Sequence, residues 1–137
     1  MPHPQPVFVN GEPVFFLQGA RANEDVSDRQ RSETVRILKS YHEAFRRRGI
    51  RFIFLPVPNK ENIYHDFLPA GKRPVFLEKL ISELDKSGIE TIDTQKAFDE
   101  AFGKGVELYL NDDTHWSAAA VRITAELIEK QVGMKGE

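Results

Sequence analysis

The sequence predicts an α/β domain, a three-layer sandwich in which helices cover both faces of a mostly parallel sheet, preceded by an N-terminal β-hairpin. Two apolar runs separated by Asn10-Gly11 give the strongest short-range signal for a hairpin. Beyond it, segments with helical spacing alternate with short apolar runs, an order typical of parallel strands joined by right-handed helical crossovers. The 137 residues and 40% hydrophobic content suit one domain with its own core.

The predicted domain covers residues 7–133 and lies between two short tails, at residues 1–6 and 134–137. The first tail is expected to be disordered because its prolines are spaced through a polar segment. The hairpin strands are predicted at residues 7–9 and 13–17, where β-branched and aromatic side chains flank the turn.

Glycine and proline residues set the limits of the remaining predicted helices and strands. Gly49 and Gly88 each follow an apolar stripe with helical spacing, as glycines that end helices do. Pro56 and Pro58 cannot donate to a sheet, so a continuous apolar run should end there as a strand. In chain order we predict a loop (18–28), a helix (29–48), a strand (50–57), a loop (59–62), a helix (74–87), a strand (89–92), a helix (95–102), an extended segment (106–110) and a helix (118–132).

These extended segments are few for a doubly wound sheet, which normally contains about four to six strands. We therefore expect some strands of the complete fold to lie outside the given sequence. Loops at the carboxyl ends of parallel strands are where α/β proteins usually place ligands. The predicted loop at residues 59–62 follows such a strand and is a candidate ligand site.

The composition argues against several classes of function. Nineteen basic and twenty-one acidic residues are intermixed, so no extended field of one sign predicts binding to nucleic acid. The absence of cysteine excludes disulfides, thiol nucleophiles and thiolate metal sites. No apolar run approaches the ~20 residues of a membrane span, and the first residues lack the pattern of a secretory signal, so no direct membrane insertion is predicted.

The segment Asp113-Thr114-His115-Trp116 carries the main chemical signal of the chain. It lies between an apolar segment and a predicted helix, where the Asp113 carboxylate can orient the His115 imidazole as a general base. This pattern indicates hydrolase or acyl-transfer chemistry. A simpler interpretation makes Asp113 a helix cap and His115 a surface residue. Trp116 can wall such a site or anchor the helix in the core.

No nucleophile of matching quality accompanies this pair, because none of the serines lies in the glycine-flanked turn that presents an attacking hydroxyl. The sequence therefore predicts half of a catalytic site. A metal site is the alternative, with Asp113 and His115 joined by Asp112 or His65. The chain lacks the second spaced ligand cluster that such sites normally have, so we predict neither a metal nor another cofactor.

Several motifs together resemble one known family. They are the segment FLPVPNKENIY at residues 54–64, then Phe67-Leu68-Pro69, Leu108-Tyr109 and residues 113–116. In combination they resemble the SGNH-hydrolase-like domain of the alginate O-acetyltransferase family, the AlgJ and AlgX group. Residues 10–17 are similar to the hairpin of that family but lack its usual tryptophan. The resemblance covers residues 7–132 and implies an SGNH-like fold with flavodoxin-like strand order.

The resemblance also implies a function. Members of this family acetylate hydroxyls of exopolysaccharide or cell-wall sugars in the periplasm through a Ser-His-Asp triad. It implies that Asp113 orients the base His115, and that the substrate is a polysaccharide or an acetylated sugar. A membrane protein that donates acetyl groups is an implied partner. The family places its nucleophile in a Gly-Asp-Ser block after the Asp-x-His motif, so this chain should be a fragment without that block.

Four further side chains are candidates for contact with substrate: Asn59, Lys60, Tyr64 and Trp116. For the first three, a capped turn and a packed ring explain the residue types equally well. Two functions stay open beside acetyl transfer. A site of this kind becomes a sugar O-acetylesterase when water replaces the acceptor sugar, and a non-catalytic carbohydrate-binding or assembly module can keep the pair without turnover.

Overall fold

The computed structural model describes residues 6–16, 26–68 and 71–133. The predicted C-terminal tail, most of the N-terminal tail and most of the polar loop at residues 18–28 lie outside the described residues. Leu17 and Pro69 also lie outside them. The elements, in chain order, are β1 (Val7–Val9), β2 (Glu12–Val14), α1 (Asp28–Arg46), β3 (Ile53–Phe54), α2 (Lys60–Ile63), a 3₁₀ turn (His65–Phe67), α3 (Phe76–Lys86), β4 (Glu90–Thr91), α4 (Thr94–Gly103) and α5 (Ala118–Gly133).

The hairpin forms with its turn where it was predicted, but its second strand is Glu12–Val14 rather than the predicted residues 13–17. Strands β1 and β2 pair antiparallel, with Val7 opposite Val14. Asn10 and Gly11 both adopt positive φ, at 52° and 84°, which the tight two-residue turn between twisted strands requires. Alternation along the strands buries Val14 and turns Phe8 outward, so one face of the hairpin packs on the core.

The main helices also begin and end near their predicted limits. Ser27 caps α1 through a capping box with Gln30, in which each side chain bonds the other residue's backbone N–H. Asp93 caps α4 by accepting from the Lys96 N–H. Gly49 and Gly88 follow α1 and α3 with φ of 70° and 74°, a conformation in which glycine avoids the Cβ strain of other residues.

The predicted parallel pair is present but short. Strands β3 and β4 form a two-stranded parallel sheet, with Ile53 opposite Glu90. The prediction of a strand over residues 50–57 was too long. Two residues beyond β3, Pro56 interrupts the run, and a proline has no N–H with which to continue a ladder. The predicted flavodoxin-like order stays a prediction, because two strands define only their own pairing.

Two other predicted segments differ from the structure. The predicted loop at residues 59–62 contains helix α2, because its polar side chains find partners inside the protein. The Asn62 amide, for example, donates to Gln95 Oε1 at 2.9 Å. The predicted extended segment at residues 106–110 joins neither described sheet. It forms an isolated antiparallel bridge between Tyr109 and Trp116, because the chain turns back on itself there.

Two clusters of buried side chains form the core. Helices α1 and α3 share one cluster with β3 and with Ile89, the residue before β4; the cluster is centred on Leu84 and Ile89. The hairpin, α2, α4 and α5 share the other, which contains Phe98 and Tyr109. Adjacent residues of a strand point to opposite faces, so β3 presents Phe54 to the first cluster and Ile53 away from it.

Leu84→Ala should lower the free energy of unfolding by about 2–5 kcal/mol, because Leu84 is completely buried and its truncation leaves a cavity. Urea denaturation followed by circular dichroism measures the change. Val121→Ala on the exposed side of α5 is the control, with an expected change within about 0.5 kcal/mol. Equal costs for the two variants would contradict this assignment of the core.

Candidate active site

The segment that presents the Asp-His pair is a turn closed by backbone hydrogen bonds. The Leu110 N–H donates to the His115 carbonyl at 3.0 Å, and the Ser117 N–H donates to the Leu108 carbonyl at 2.9 Å. Beneath the turn, the Tyr109 side chain is buried and its hydroxyl donates to the Pro58 carbonyl at 2.5 Å. The turn therefore rests on the core at its base and projects its tip outward.

At the tip, both carboxylate oxygens of Asp113 face His115. Oδ2 lies 3.0 Å from Nδ1 of the ring, and Oδ1 accepts the His115 backbone N–H at 2.6 Å. An ionised carboxylate can only accept, so the neutral ring carries its proton on Nδ1 and keeps a lone pair on Nε2. The His115 side chain is 82% exposed and that of Asp113 is 44% exposed. The two groups thus meet in the geometry of an oriented base.

The same contacts set the ionisation of the carboxylate. The backbone N–H of His115 is the main cause that lowers the pKa of Asp113, followed by the hydrogen bond to the ring. The positive charge of Lys60 adds to this effect. Asp113 is therefore ionised wherever an exposed carboxylate would be, and it stays ionised at somewhat lower pH.

The expected cap function of Asp113 belongs to another residue. Ser117 Oγ accepts the Ala120 N–H at 3.1 Å at the start of α5, and the Ser117 hydroxyl donates to the Glu107 carbonyl at 2.6 Å. These are the contacts of a helix N-cap. Ser117 therefore caps α5. Asp113 does not, so the simpler interpretation of Asp113 as the cap of this helix does not apply.

Lys60 is not at the surface, although it was a candidate for contact with substrate. Its side chain is almost fully buried, and Nζ donates to the carbonyls of Phe15, Leu110 and Asp113 at 2.9, 2.6 and 2.8 Å. Burial is the main cause that lowers the pKa of Lys60, and the negative charge of Asp113 opposes it. All three ammonium protons have partners, so the geometry does not support a substrate contact.

Tyr64 and Trp116 also face inward. Tyr64 is buried, its hydroxyl accepts the Leu108 N–H at 3.4 Å, and its ring lies 4.8 Å from that of Phe102. Burial raises the pKa of Tyr64. Trp116 is half-buried and meets Phe98 edge to face, with ring centroids 5.7 Å apart. Both rings therefore support the turn from below, as the packing alternative for each predicted.

Asn59 is the exposed member of the four candidates. It occupies the N-cap position of α2, although its side chain makes no capping bond. It lines a mainly apolar cleft of about 390 Å³ at the carboxyl end of β3, together with Thr34, Pro56 and Leu77. Neither Asp113 nor His115 lines this cleft. The cleft that Asn59 lines is therefore not the site of the Asp-His pair.

The alternative interpretation was a metal site. In the part of the chain that the structure describes, no three His, Asp or Glu side chains come close enough to hold an ion. His65 lies near other groups: Nε2 is 3.2 Å from Arg73, and Nδ1 is 3.1 Å from the Asp66 carboxylate without a hydrogen bond to it. Arg73 in turn forms two hydrogen bonds with Asp99.

Over residues 6–16, 26–68 and 71–133, no helix combines the length and apolar character of a bilayer span.

Comparison with known proteins bears on this geometry. A family model described as the SGNH hydrolase-like domain of the acetyltransferase AlgX matches residues 9–136. The solved O-acetyltransferase domain of Pseudomonas putida AlgJ superposes with a TM-score of 0.67 at 14% sequence identity. The match covers 89% of this chain and 42% of the AlgJ chain. No curated protein sequence gives a significant match.

The likeness to AlgJ confirms the predicted SGNH-like α/β class, and at 14% identity it concerns the fold alone. The family model rests on the sequence itself and extends from the hairpin to beyond α5. The chain belongs to the family of SGNH hydrolase-like domains of the acetyltransferase AlgX.

Proposed function

We propose that this chain is the part of a polysaccharide O-acetyltransferase that supplies the aspartate and histidine of a Ser-His-Asp triad. The observation that carries the proposal is the contact between Asp113 and His115, in which one carboxylate holds both the ring and the backbone of the histidine. Membership of the AlgX family supports acetyl transfer as the chemistry. The chain spans less than half of the solved AlgJ chain, and we propose the activity for a longer protein that includes this chain.

The first half of the reaction forms an acetylated serine. His115 Nε2 takes the proton of a serine hydroxyl as the oxygen attacks the carbonyl carbon of an acetyl donor. The tetrahedral intermediate collapses when the bond to the donor's leaving oxygen or sulfur breaks, and the imidazolium returns its proton to that leaving group. Asp113 stabilises the imidazolium between these two steps, because its carboxylate lies 3.0 Å from Nδ1.

The second half transfers the acetyl group to a sugar. Nε2 removes a proton from a sugar hydroxyl, whose oxygen attacks the acetyl-serine. The serine leaves with the proton that the imidazolium gives back. A glycan hydroxyl reaches His115 readily, since most of that side chain is exposed. Transfer to a cell-surface glycan implies an extracytoplasmic location and, as the source of acetyl groups, a membrane protein.

A non-catalytic carbohydrate-binding or assembly module is the second candidate. One observation favours it: in the described residues, Ser117 is committed to capping α5, and the exposed pair has no hydroxyl bonded to Nε2. A sugar O-acetylesterase uses the same pair with water as the acceptor. Activity of the longer protein with and without an acceptor glycan separates these three functions.

In the longer protein, Asp113→Asn and His115→Ala should each lower kcat for acetyl transfer by about 10⁴-fold, since each removes a member of the unit that activates the serine. Release of p-nitrophenol from p-nitrophenyl acetate, with and without glycan, measures the rate. Asp112→Asn is the matched control, because it removes the same charge from the neighbouring exposed residue. Full rates in both Asp113→Asn and His115→Ala would remove the triad assignment.

The chain of 137 residues should by itself hydrolyse an acetylated sugar no faster than its His115→Ala variant, because an imidazole without a serine attacks an unactivated alkyl ester very slowly. The measurement compares initial rates at equal protein concentrations. A rate many times higher that depends on His115 would show a nucleophile within these residues and overturn this prediction.

The stability of the chain should depend on pH through Asp113. Its pKa is lower in the folded state than the ~3.9 of an unfolded chain, so its stabilising contribution is present above that value. The contribution is lost as pH falls through the lowered pKa. The difference in unfolding free energy between the wild type and Asp113→Asn should therefore shrink below about pH 4. Urea denaturation over a pH series tests this, and a difference that grew on acidification would contradict it.

A further inference from the structure

The ammonium of Lys60 connects the hairpin to the turn that carries the Asp-His pair. One of its three short hydrogen bonds ends on the carbonyl of Phe15, just after β2. The other two end on Leu110 and Asp113, and a longer contact of 3.4 Å reaches Asn111. Three of its four carbonyl contacts therefore lie within residues 110–113, which end two residues before His115 in the chain.

These carbonyls turn toward the interior, where an unpaired polar group is costly. The Phe15 N–H also donates to the Asn111 carbonyl at 2.8 Å, so backbone and ammonium hold the turn against the hairpin together. Removal of the ammonium leaves the Leu110 and Asp113 carbonyls without this donor. Rotation of their peptide groups toward water would restore hydrogen bonds and would also turn the Asp113 side chain away from His115.

We propose that Lys60 is a positioning residue, which fixes the Asp113 peptide so that the carboxylate keeps the His115 ring protonated on Nδ1 and open on Nε2. Its relevance to catalysis rests on the proposed acetyl transfer, whereas the tautomer of His115 can be measured without any activity. The ammonium reaches the backbone of Asp113 itself, since Lys60 Nζ lies 2.8 Å from the Asp113 carbonyl oxygen. Lys60 itself does not meet the substrate, since its side chain is 1% exposed.

The sequence contains no cysteine, so a single cysteine introduced at position 60 can be converted chemically into two side chains of equal length, one charged and one neutral. Lys60→Cys can be alkylated in urea and refolded, with only one thiol available to react. Bromoethylamine gives an aminoethyl thioether, which has the length and the ammonium of lysine. Iodopropane gives a propyl thioether, which has the length without the charge. Recombinant Lys60→Met is measured in parallel and needs no refolding.

The readout is the ¹⁵N NMR spectrum of the four histidines, in which His115 is assigned with a His115→Gln variant. At a pH where the His115 ring is neutral, the wild type and the aminoethyl form should show Nδ1 protonated and Nε2 unprotonated. In the propyl and Met forms, the ratio of the Nε2–H to the Nδ1–H tautomer should rise by about tenfold, the scale of one hydrogen bond to a charged group.

Leu84→Ala controls for general destabilisation, because it weakens the other core cluster and leaves Lys60 in place. It should lower stability without altering the tautomer of His115. An unchanged tautomer in folded neutral variants would overturn the proposal. Loss of the fold in both neutral variants would also overturn it, since Lys60 would then support the whole domain rather than the pair. Inactivity of the longer protein with a normal tautomer would count against acetyl transfer alone.

Discussion

The buried ammonium of Lys60 is the contact that joins the hairpin to the turn carrying the Asp-His pair. Removing a cation from water is costly unless it is fully hydrogen bonded, and Lys60 meets that condition only where the hairpin and the turn before His115 come together. The Tyr109 hydroxyl makes the opposite link, from the turn to the Pro58 carbonyl. Helix α2 and Pro58, two residues before it, are therefore joined to the turn in both directions, although about fifty residues separate them from it in sequence.

This support differs in character from the pair that it holds. The residues beneath the turn are buried and packed ring against ring, whereas His115 is mostly exposed. Catalytic groups need fixed positions, and positions are fixed most firmly by rotamers locked in a packed core. A reactive side chain must also be reached by its substrate. The turn satisfies both needs, because its base belongs to the core and only its tip meets solvent.

The sequence predicted the features that depend on neighbouring residues. Asn10-Gly11 and the glycines after α1 and α3 act through their own backbone, so the hairpin and the helix ends could be placed without knowledge of the fold. The Asp113–His115 contact spans two residues and was predictable for the same reason. The burial of Lys60 was not, because a lysine between polar residues is normally exposed and its carbonyl partners lie far away in sequence. A proline-rich segment directly before a lysine was the available signal, and it was interpreted as a ligand loop.

Exposure of the pair also limits what it can do unaided. Charge stabilisation in acyl transfer is strongest where water is excluded, and His115 at 82% exposure lies in water. In the proposed reaction, the polypeptide that brings the serine would therefore have to do more than supply a hydroxyl. It must cover Nε2, provide donors for the oxyanion and leave room for a sugar. An exposed imidazole held in place by a carboxylate suits this arrangement, since the ring needs no rearrangement when the second polypeptide covers it.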